Sequence, residues 1–432
     1  MGRRSQRHRF ANWDHYLPLL SAVSTYAETL EWLYAQLPVF QHTGGTQATY
    51  KVDLAKTMAF MEALGHPERR FPAFHVAGTN GKGSTSHMLA SCLQEAGYRV
   101  GLYTSPHLVS FTERIRIQGV ELAPEKVVDF VETWKPRLRS LQLSFFEMSV
   151  GLAFHAFAEA EVDVAVVEVG MGGRLDSTNV VHPIVTGVTT IDLDHQAFLG
   201  TTRAAIAREK AGIFKPHVPA VVGQKDHETQ SVFESIAKDV QAPLIWAEDH
   251  PNTLTSSDLL GEYQADNQRM ARAMLAAQPD FPVSEDAIAR GLARVVANTG
   301  LQGRWQVWSQ APMTILDTAH NPHGLRATMR QLLALPGGPL HIVLGMVQDK
   351  DVRSALACLP VEATYYFCAA QIPRAMPAEQ LQALGKSMGL EGAAHPHVKA
   401  AWDSALQAAN PEDRLYIGGS TFVVADALMA RR

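Results

Sequence analysis

The run Gly78-Thr79-Asn80-Gly81-Lys82-Gly83-Ser84-Thr85 sets one lysine among three glycines, between the apolar stretch FHVAG and a helix-like stretch ending at Gly97. Glycines let backbone amides close around a polyphosphate, a following helix N-terminus adds positive potential, and the lysine supplies a point charge near the terminal phosphates. A hydroxyl residue usually follows the lysine directly; here Gly83 intervenes, so the loop is a variant.

A nucleoside triphosphate brings Mg²⁺, which favours oxygen ligands from one or two carboxylates and several waters. Acids at neighbouring strand ends are therefore expected. Glu168 closes the apolar run VDVAVVE beside the turn Gly170-Met171-Gly172-Gly173, where packing does not explain a charge. It reads as a metal ligand or water-positioning acid, or else as the partner of Arg174. Asp192, Asp194 and His195 follow the run IVTGVTTI and project over the same edge, which makes His195 a candidate ligand. Ser105, in TSPH, lies at a further strand end, where its hydroxyl is either part of a metal shell or only a turn residue. Lys210, in REKAG, reads by itself as a surface lysine on a helix.

These residues need a scaffold that brings strand ends together. From Phe74 to Gly223, short β-rich runs (FHVAG, RVGLYTS, VDVAVVEVG, IVTGVTTI, PAVVG) alternate with helix-like stretches. Such alternation implies a parallel sheet covered on both faces, with ligands outside the carboxyl ends of its strands. A second, smaller alternation runs from Gly303 to the end through MTILDTAH, LHIVLGM, ATYYFCAA and RLYIGGS. The stretch Val295 to Gly303 carries two glycines and an asparagine with little helical or strand pattern, and reads as the connection. Drawn at 298–303, it divides the chain into a tail (1–22), a first domain (23–297) and a second (304–432). The expected fold class is α/β: an N-terminal P-loop ATPase domain with a mostly parallel sheet, plus a smaller C-terminal Rossmann-like domain.

The composition agrees. A chain of 432 residues, 46% hydrophobic and 19% charged, is long enough for two or three domains with real cores. Against 38 Lys and Arg stand 43 Asp and Glu, a net charge of −5, so no global basic field collects nucleic acid or an anionic membrane. The three cysteines, Cys92, Cys358 and Cys368, lack CxxC spacing and sit among apolar residues. They read as core fillers of a protein in the reducing cytoplasm. The longest apolar run, Ser177 to Ile191, is broken by His182 and Pro183, short of the ~18 residues of a membrane span. Arg3, Arg4, Arg7 and Arg9 precede an apolar stretch interrupted by Pro18, which reads as a frayed basic tail rather than a leader.

With GTNGKGST, TSPHL, SFFE, EVGMGGRLDSTN, DLDH, EKAGIFK, GRW and DTAHNPH in that order, residues 25 to 430 resemble the dihydrofolate synthase/folylpolyglutamate synthase family of the Mur ligase superfamily. The resemblance implies catalysis in the cleft between two domains. It implies that Gly81, Lys82, Gly83 and Ser84 hold ATP phosphates, with Asn267, Arg304 and Asp317 as further ATP contacts. Ser105, Glu168 and His195 become the Mg²⁺ ligands. Lys210 matches a lysine carbamylated by CO₂ in this family, which would present anionic oxygens to the metal in place of an ammonium. His320 helps position the terminal phosphate or the incoming amine. Ser144, Phe145, Phe146 and Glu147, with Leu175, Asp176 and Ser177, match the pteroate site. There a ring can pack on a flat pterin and a carboxylate can accept from its nitrogens, while one of the two phenylalanines belongs to the core.

The implied reaction is ATP-dependent ligation of L-glutamate to dihydropteroate or to a folate through an acyl phosphate, by a cytoplasmic monomer whose partners are small molecules, with neither nucleic acid nor membrane. Three alternatives remain open at this point: a synthase restricted to folates, a Mur-type ligase for a UDP-linked sugar peptide, and an ATP-gated binding protein that ligates nothing.

Overall fold

The β-branched run VAVVE is buried at every position and so needs cover on both faces, the environment of a central parallel strand. A computed structural model describing residues 24–36, 53–251, 253–348 and 350–431 places it there; the expected tail, 1–22, lies outside the described residues. Strands β1 (Ala73–Ala77), β2 (Val100–Tyr103), β3 (Ile115–Ile117), β4 (Val120–Glu121), β5 (Val164–Glu168), β6 (Pro183–Val188), β7 (Ala220–Val222) and β8 (Leu244–Trp246) form one sheet. Its order is β4-β3-β2-β5-β1-β6-β7-β8, parallel from β2 to β8 and antiparallel only at the β3 and β4 edge. Strands β9 (Gln306–Gln310), β10 (Met313–Asp317), β11 (Leu340–Leu344), β12 (Thr364–Phe367), β13 (Gly392–Ala394) and β14 (Arg414–Gly418) form a second sheet, β13-β12-β11-β14-β10-β9, antiparallel only at β9.

Each sheet is covered on both faces by helices. The helix Lys82–Glu95 is buried continuously from Ser84 to Leu93, because the first sheet lies on one side and the helices Gln264–Ala276 and Glu285–Ala293 on the other. On the opposite face, Phe154 and Phe157 of the helix Phe145–Glu159 join Phe60, Phe71 and Phe130 in an aromatic core. Each such ring, fully buried, contributes about 1.5–3 kcal/mol. Cys92 and Cys368 are buried as expected, whereas Cys358 is only half-buried. Among the described residues no helix is long and apolar enough to cross a membrane.

The connection differs from its sequence reading. Val295–Thr299 is a short helix fastened to the first body: Val295 is buried in its core, Thr299 Oγ1 pairs with His87 Nδ1 at 2.8 Å, and Asn298 Nδ2 donates to Ser91 and Glu95. Gly300 closes that helix in the left-handed region at φ 67°, and the Gly303 carbonyl already accepts from Thr318 N–H. The passage between the bodies is thereby reduced to Gly300–Gly303.

Candidate active site

The phosphate loop is held from below by the end of β6. Thr79 N–H donates to the Thr190 carbonyl at 2.7 Å, Asn80 N–H donates to the Thr190 hydroxyl, and the Thr189 hydroxyl donates to the Asn80 carbonyl at 2.6 Å. Gly81 caps the helix Lys82–Glu95 at φ 86°, and a Cβ there would come within 2.2 Å of Asn267 Oδ1. Only glycine serves at such a position. Asn267 therefore backs the loop itself. Its amide donates to Gln264, whose own amide donates to the Ser84 hydroxyl at 3.2 Å, so the helix Gln264–Ala276 braces the loop.

Glu168 ends β5 directly beside the loop. Its Oε2 accepts from Ser105 N–H at 3.1 Å, which joins two of the expected metal ligands across neighbouring strands. A Cβ on Gly83 would stand 3.6 and 3.7 Å from the two carboxylate oxygens, so the glycine keeps the space before them open. Burial raises the Glu168 carboxyl while the Lys82 charge opposes that shift. The alternative partner, Arg174, pairs with Glu209 at 2.9 Å instead. His195 follows β6 in a left-handed turn and is more exposed than Glu168. Among the described residues no three His, Cys, Asp or Glu side chains form a metal cluster. The expected ligands instead combine a hydroxyl, a carboxylate and an imidazole, a donor set whose two oxygens suit a hard cation.

Lys210 is not on the surface. It is 4% exposed and its ammonium donates to the Gly78 carbonyl at 2.7 Å, the carbonyl that also accepts from Lys82 at 3.0 Å. Burial, with the neighbouring charge of Lys82, pushes the Lys210 amine down to about 7.

The second sheet presents its own carboxyl edge to this loop. Asn80 and Asn321 exchange reciprocal amide hydrogen bonds at 3.3 and 3.0 Å, and His323 Nδ1 lies 3.2 Å from the Asn80 amide. Asp194 pairs with Lys350 and stands 3.6 Å from His320 Nε2. Burial alone would raise the Asp194 carboxyl, but the hydrogen bond with His320 and the charges of His195 and Lys350 hold it well below the usual carboxylate range. Arg304 bonds the Thr318 hydroxyl and reaches toward Gly83. Asp317 is 2% exposed and accepts from Tyr263 Oη, Trp305 N–H and Ala319 N–H at 2.7–2.8 Å, so it ties three segments at the edge of the cleft. A cavity of about 70 Å³ remains between the bodies, bordered by Gly83, Ser105, Glu168, Arg304 and Thr421.

The residues expected at the acceptor site lie in two segments. Ser144 and Glu147 form a capping box on the helix Phe145–Glu159, with Glu147 Oε2 accepting from Ser144 N–H at 2.8 Å, so both are engaged in starting the helix. Phe145 is a core ring, 3% exposed, packed on Phe111 and under the Arg114 guanidinium. Phe146 is half-buried against Gly170 and Tyr103, close to Asp176, while Leu175 is half-buried and Ser177 buried in the same turn.

Lys350, Asn321 and Tyr263 are not among the expected site residues, while Asn80 and Asp194 lie in the loop and the strand-end turn that the sequence singles out without a role of their own. Lys350 follows β11, and a cation just beyond the carboxyl end of a parallel strand is the signal that would have singled it out.

Two family models match the chain: the Mur ligase middle domain over residues 76–259 and the Mur ligase glutamate ligase domain over residues 303–421. The Escherichia coli (strain K12) protein named dihydrofolate synthase/folylpolyglutamate synthase is 40% identical over 375 residues, spanning 82% of this chain and 85% of that one. The chain belongs to the dihydrofolate synthase/folylpolyglutamate synthase family. The solved structure of Escherichia coli FolC in complex with DHPP and ADP superposes on this family member with a TM-score of 0.83 at 35% identity, covering 94% of this chain and 98% of that one. A bifunctional folylpolyglutamate synthase/dihydrofolate synthase with Mn, AMPPNP and L-glutamate bound gives a TM-score of 0.82 at 34% identity, with the same coverage.

Proposed function

We propose that this family member is an ATP- and Mg²⁺-dependent amide ligase that adds L-glutamate to dihydropteroate, as a dihydrofolate synthase, and to reduced folates, as a folylpolyglutamate synthase. The observation that carries the reading is the meeting of two carboxyl edges at one cleft. The phosphate loop, Glu168 and Lys210 stand on one side, and Arg304, His320 and Lys350 on the other.

An acceptor carboxylate attacks the γ-phosphorus of ATP, ADP leaves, and an acyl phosphate forms. The glutamate amine then attacks the acyl carbon, loses a proton and expels inorganic phosphate. Attack of a carboxylate on a triphosphate brings like charges together, so the barrier falls mainly through positioning and charge neutralisation. Lys82 and the amides of Gly81, Gly83 and Ser84 hold the phosphates, and Arg304 adds a second cation from across the cleft. Asn267 and Asp317 serve ATP through the loop and the edge they brace. Ser105, Glu168 and His195 would hold Mg²⁺, which supplies charge stabilisation at the phosphoryl oxygens. Lys210, carbamylated by CO₂, would turn a repelling ammonium into an anion beside that cation. His320, oriented by Asp194 and the Thr318 carbonyl, positions the incoming amine. The approach of the two edges excludes water, which protects an acyl phosphate from hydrolysis. Phe146 and Asp176 receive the pterin. The reading assigns the activity to a monomer in the cytoplasm acting on small molecules.

Transfer of ¹⁸O tests it. With acceptor labelled in its carboxylate, one labelled oxygen appears in inorganic phosphate for each amide formed; unlabelled phosphate would contradict an acyl phosphate.

A further inference from the structure

β1 lies at the centre of the first sheet between β5 and β6, and every residue in it is buried. Its neighbours are Ala73, Phe74, Val76 and Ala77, yet the middle position is His75, fully withdrawn from solvent with Nδ1 lacking any hydrogen-bond partner. An imidazole placed there at the cost of an unsatisfied nitrogen calls for a compensating role. Its other nitrogen, Nε2, lies 2.9 Å from the Thr178 hydroxyl, and that hydroxyl donates to Asp176 Oδ1 at 2.5 Å. The same oxygen accepts from Thr178 N–H at 3.0 Å, while Oδ2 accepts from Met171 N–H at 2.9 Å.

The direction of this chain follows from chemistry. An ionised carboxylate only accepts, so the threonine proton points to Asp176; the threonine oxygen must then accept from His75, which fixes the Nε2–H tautomer. Burial, reinforced by the charge of Lys215, pushes the imidazole down to about 3, so His75 stays neutral and keeps that tautomer at physiological pH. A donor chain in a dry interior polarises along its length and holds its terminal acceptor in one rotamer.

We propose that His75 is a positioning residue for the ligation: acting through Thr178, it fixes the orientation of the Asp176 carboxylate, and so sets recognition of the N–H donors of the pterin ring from the middle of the sheet. This rests on the reading that Asp176 contacts the acceptor. Phe146 and Asp176 both crowd Gly170, which places an aromatic face next to the oriented carboxylate, as a flat heterocycle with N–H donors on its edge requires.

Steady-state kinetics of His75→Leu, His75→Gln, Thr178→Val and Thr178→Ser, with Asp176→Asn as reference, test the chain. His75→Leu and Thr178→Val raise KM for dihydropteroate about tenfold, equivalent to about 1.4 kcal/mol, and leave KM for ATP within about twofold. His75→Gln, which can donate from Nε2, and Thr178→Ser, which keeps the hydroxyl, restore the acceptor KM. A merely structural role moves kcat and both KM values together and is not rescued by these conservative variants, and that pattern overturns the proposal. If His75→Leu does not fold, Thr178→Val and Thr178→Ser decide, since the first replaces the hydroxyl by a methyl and the second keeps the hydroxyl. An unchanged acceptor KM in Asp176→Asn refutes the acceptor reading itself. A raised KM there with wild-type values in Thr178→Val refutes only the relay.

Discussion

Replacing Lys210 separates a carbamate-bearing lysine from a merely buried one. With its amine pushed down to about 7 from an ordinary 10.5, roughly half of the side chain is neutral at pH 7, against about 1 in 3,000 for an unperturbed lysine. Only the neutral amine attacks the carbon of CO₂, so the reactive population is about a thousandfold larger. With ¹³C-bicarbonate, the wild type shows a carbamate carbon resonance that is absent from Lys210→Gln. Lys210→Ala loses about 10²–10³ in turnover, the scale of removing one preorganised charge beside a phosphoryl transfer, keeps ATP binding, and recovers in part with small carboxylic acids. The same shift has a thermodynamic sign. Between about pH 7 and 10.5 the unfolded chain binds the Lys210 proton and the folded chain releases it, so in CO₂-free buffer stability rises with pH across that window. The full span is at most roughly 4–5 kcal/mol, and Lys210→Met flattens the rise. Full activity in Lys210→Ala, or equal carbamate signals in wild type and Lys210→Gln, refutes the reasoning.

Further outcomes follow from single contacts. Glu168→Gln raises the Mg²⁺ concentration for half-maximal turnover at least about tenfold, since it removes the charged donor; an unchanged titration counts against a ligand role. Gly81→Ala, whose Cβ would strike Asn267 in a left-handed position, destabilises by more than about 1 kcal/mol and weakens ATP binding, as calorimetry would show. Lys350→Met removes the cross-cleft partner of Asp194 and lowers kcat about ten- to a hundredfold, with a larger radius of gyration by small-angle scattering in the ATP complex; an unaltered radius would show that the pair does not hold the bodies together. Ser144→Ala costs about 1 kcal/mol in urea denaturation, as a lost helix cap does, and leaves the acceptor KM in place.

The strand-end residues were legible because their signal is local. Glu168 interrupts an apolar run where a charge has no packing role, and the phosphate loop shows strand, glycines, lysine and helix in one stretch. Where a residue's environment is made by distant chain, the reading failed. Lys210 read alone as a surface lysine, because the Gly78 carbonyl that receives it lies 132 residues away. Val295–Thr299 showed no helical pattern: so short a helix is stabilised by burying Val295 and pairing Thr299 with His87, not by propensity. Ser144 and Glu147 carry the spacing of a capping box, a local signal of the helix start that they form. The clasp from Asp194 to Lys350 joins residues 156 apart in loops that follow strands of different sheets, which no periodicity reports.

Glutamate-dependent ADP release by the purified protein, with ATP and Mg²⁺ and with dihydropteroate, tetrahydrofolate or no acceptor, bears most directly on the central claim, with product masses read in parallel. Release with both acceptors, each gaining one glutamyl residue, and background release without acceptor are the predicted results. Release with tetrahydrofolate alone would contradict the dihydrofolate synthase half of the claim. Silence with both would contradict folate ligation altogether.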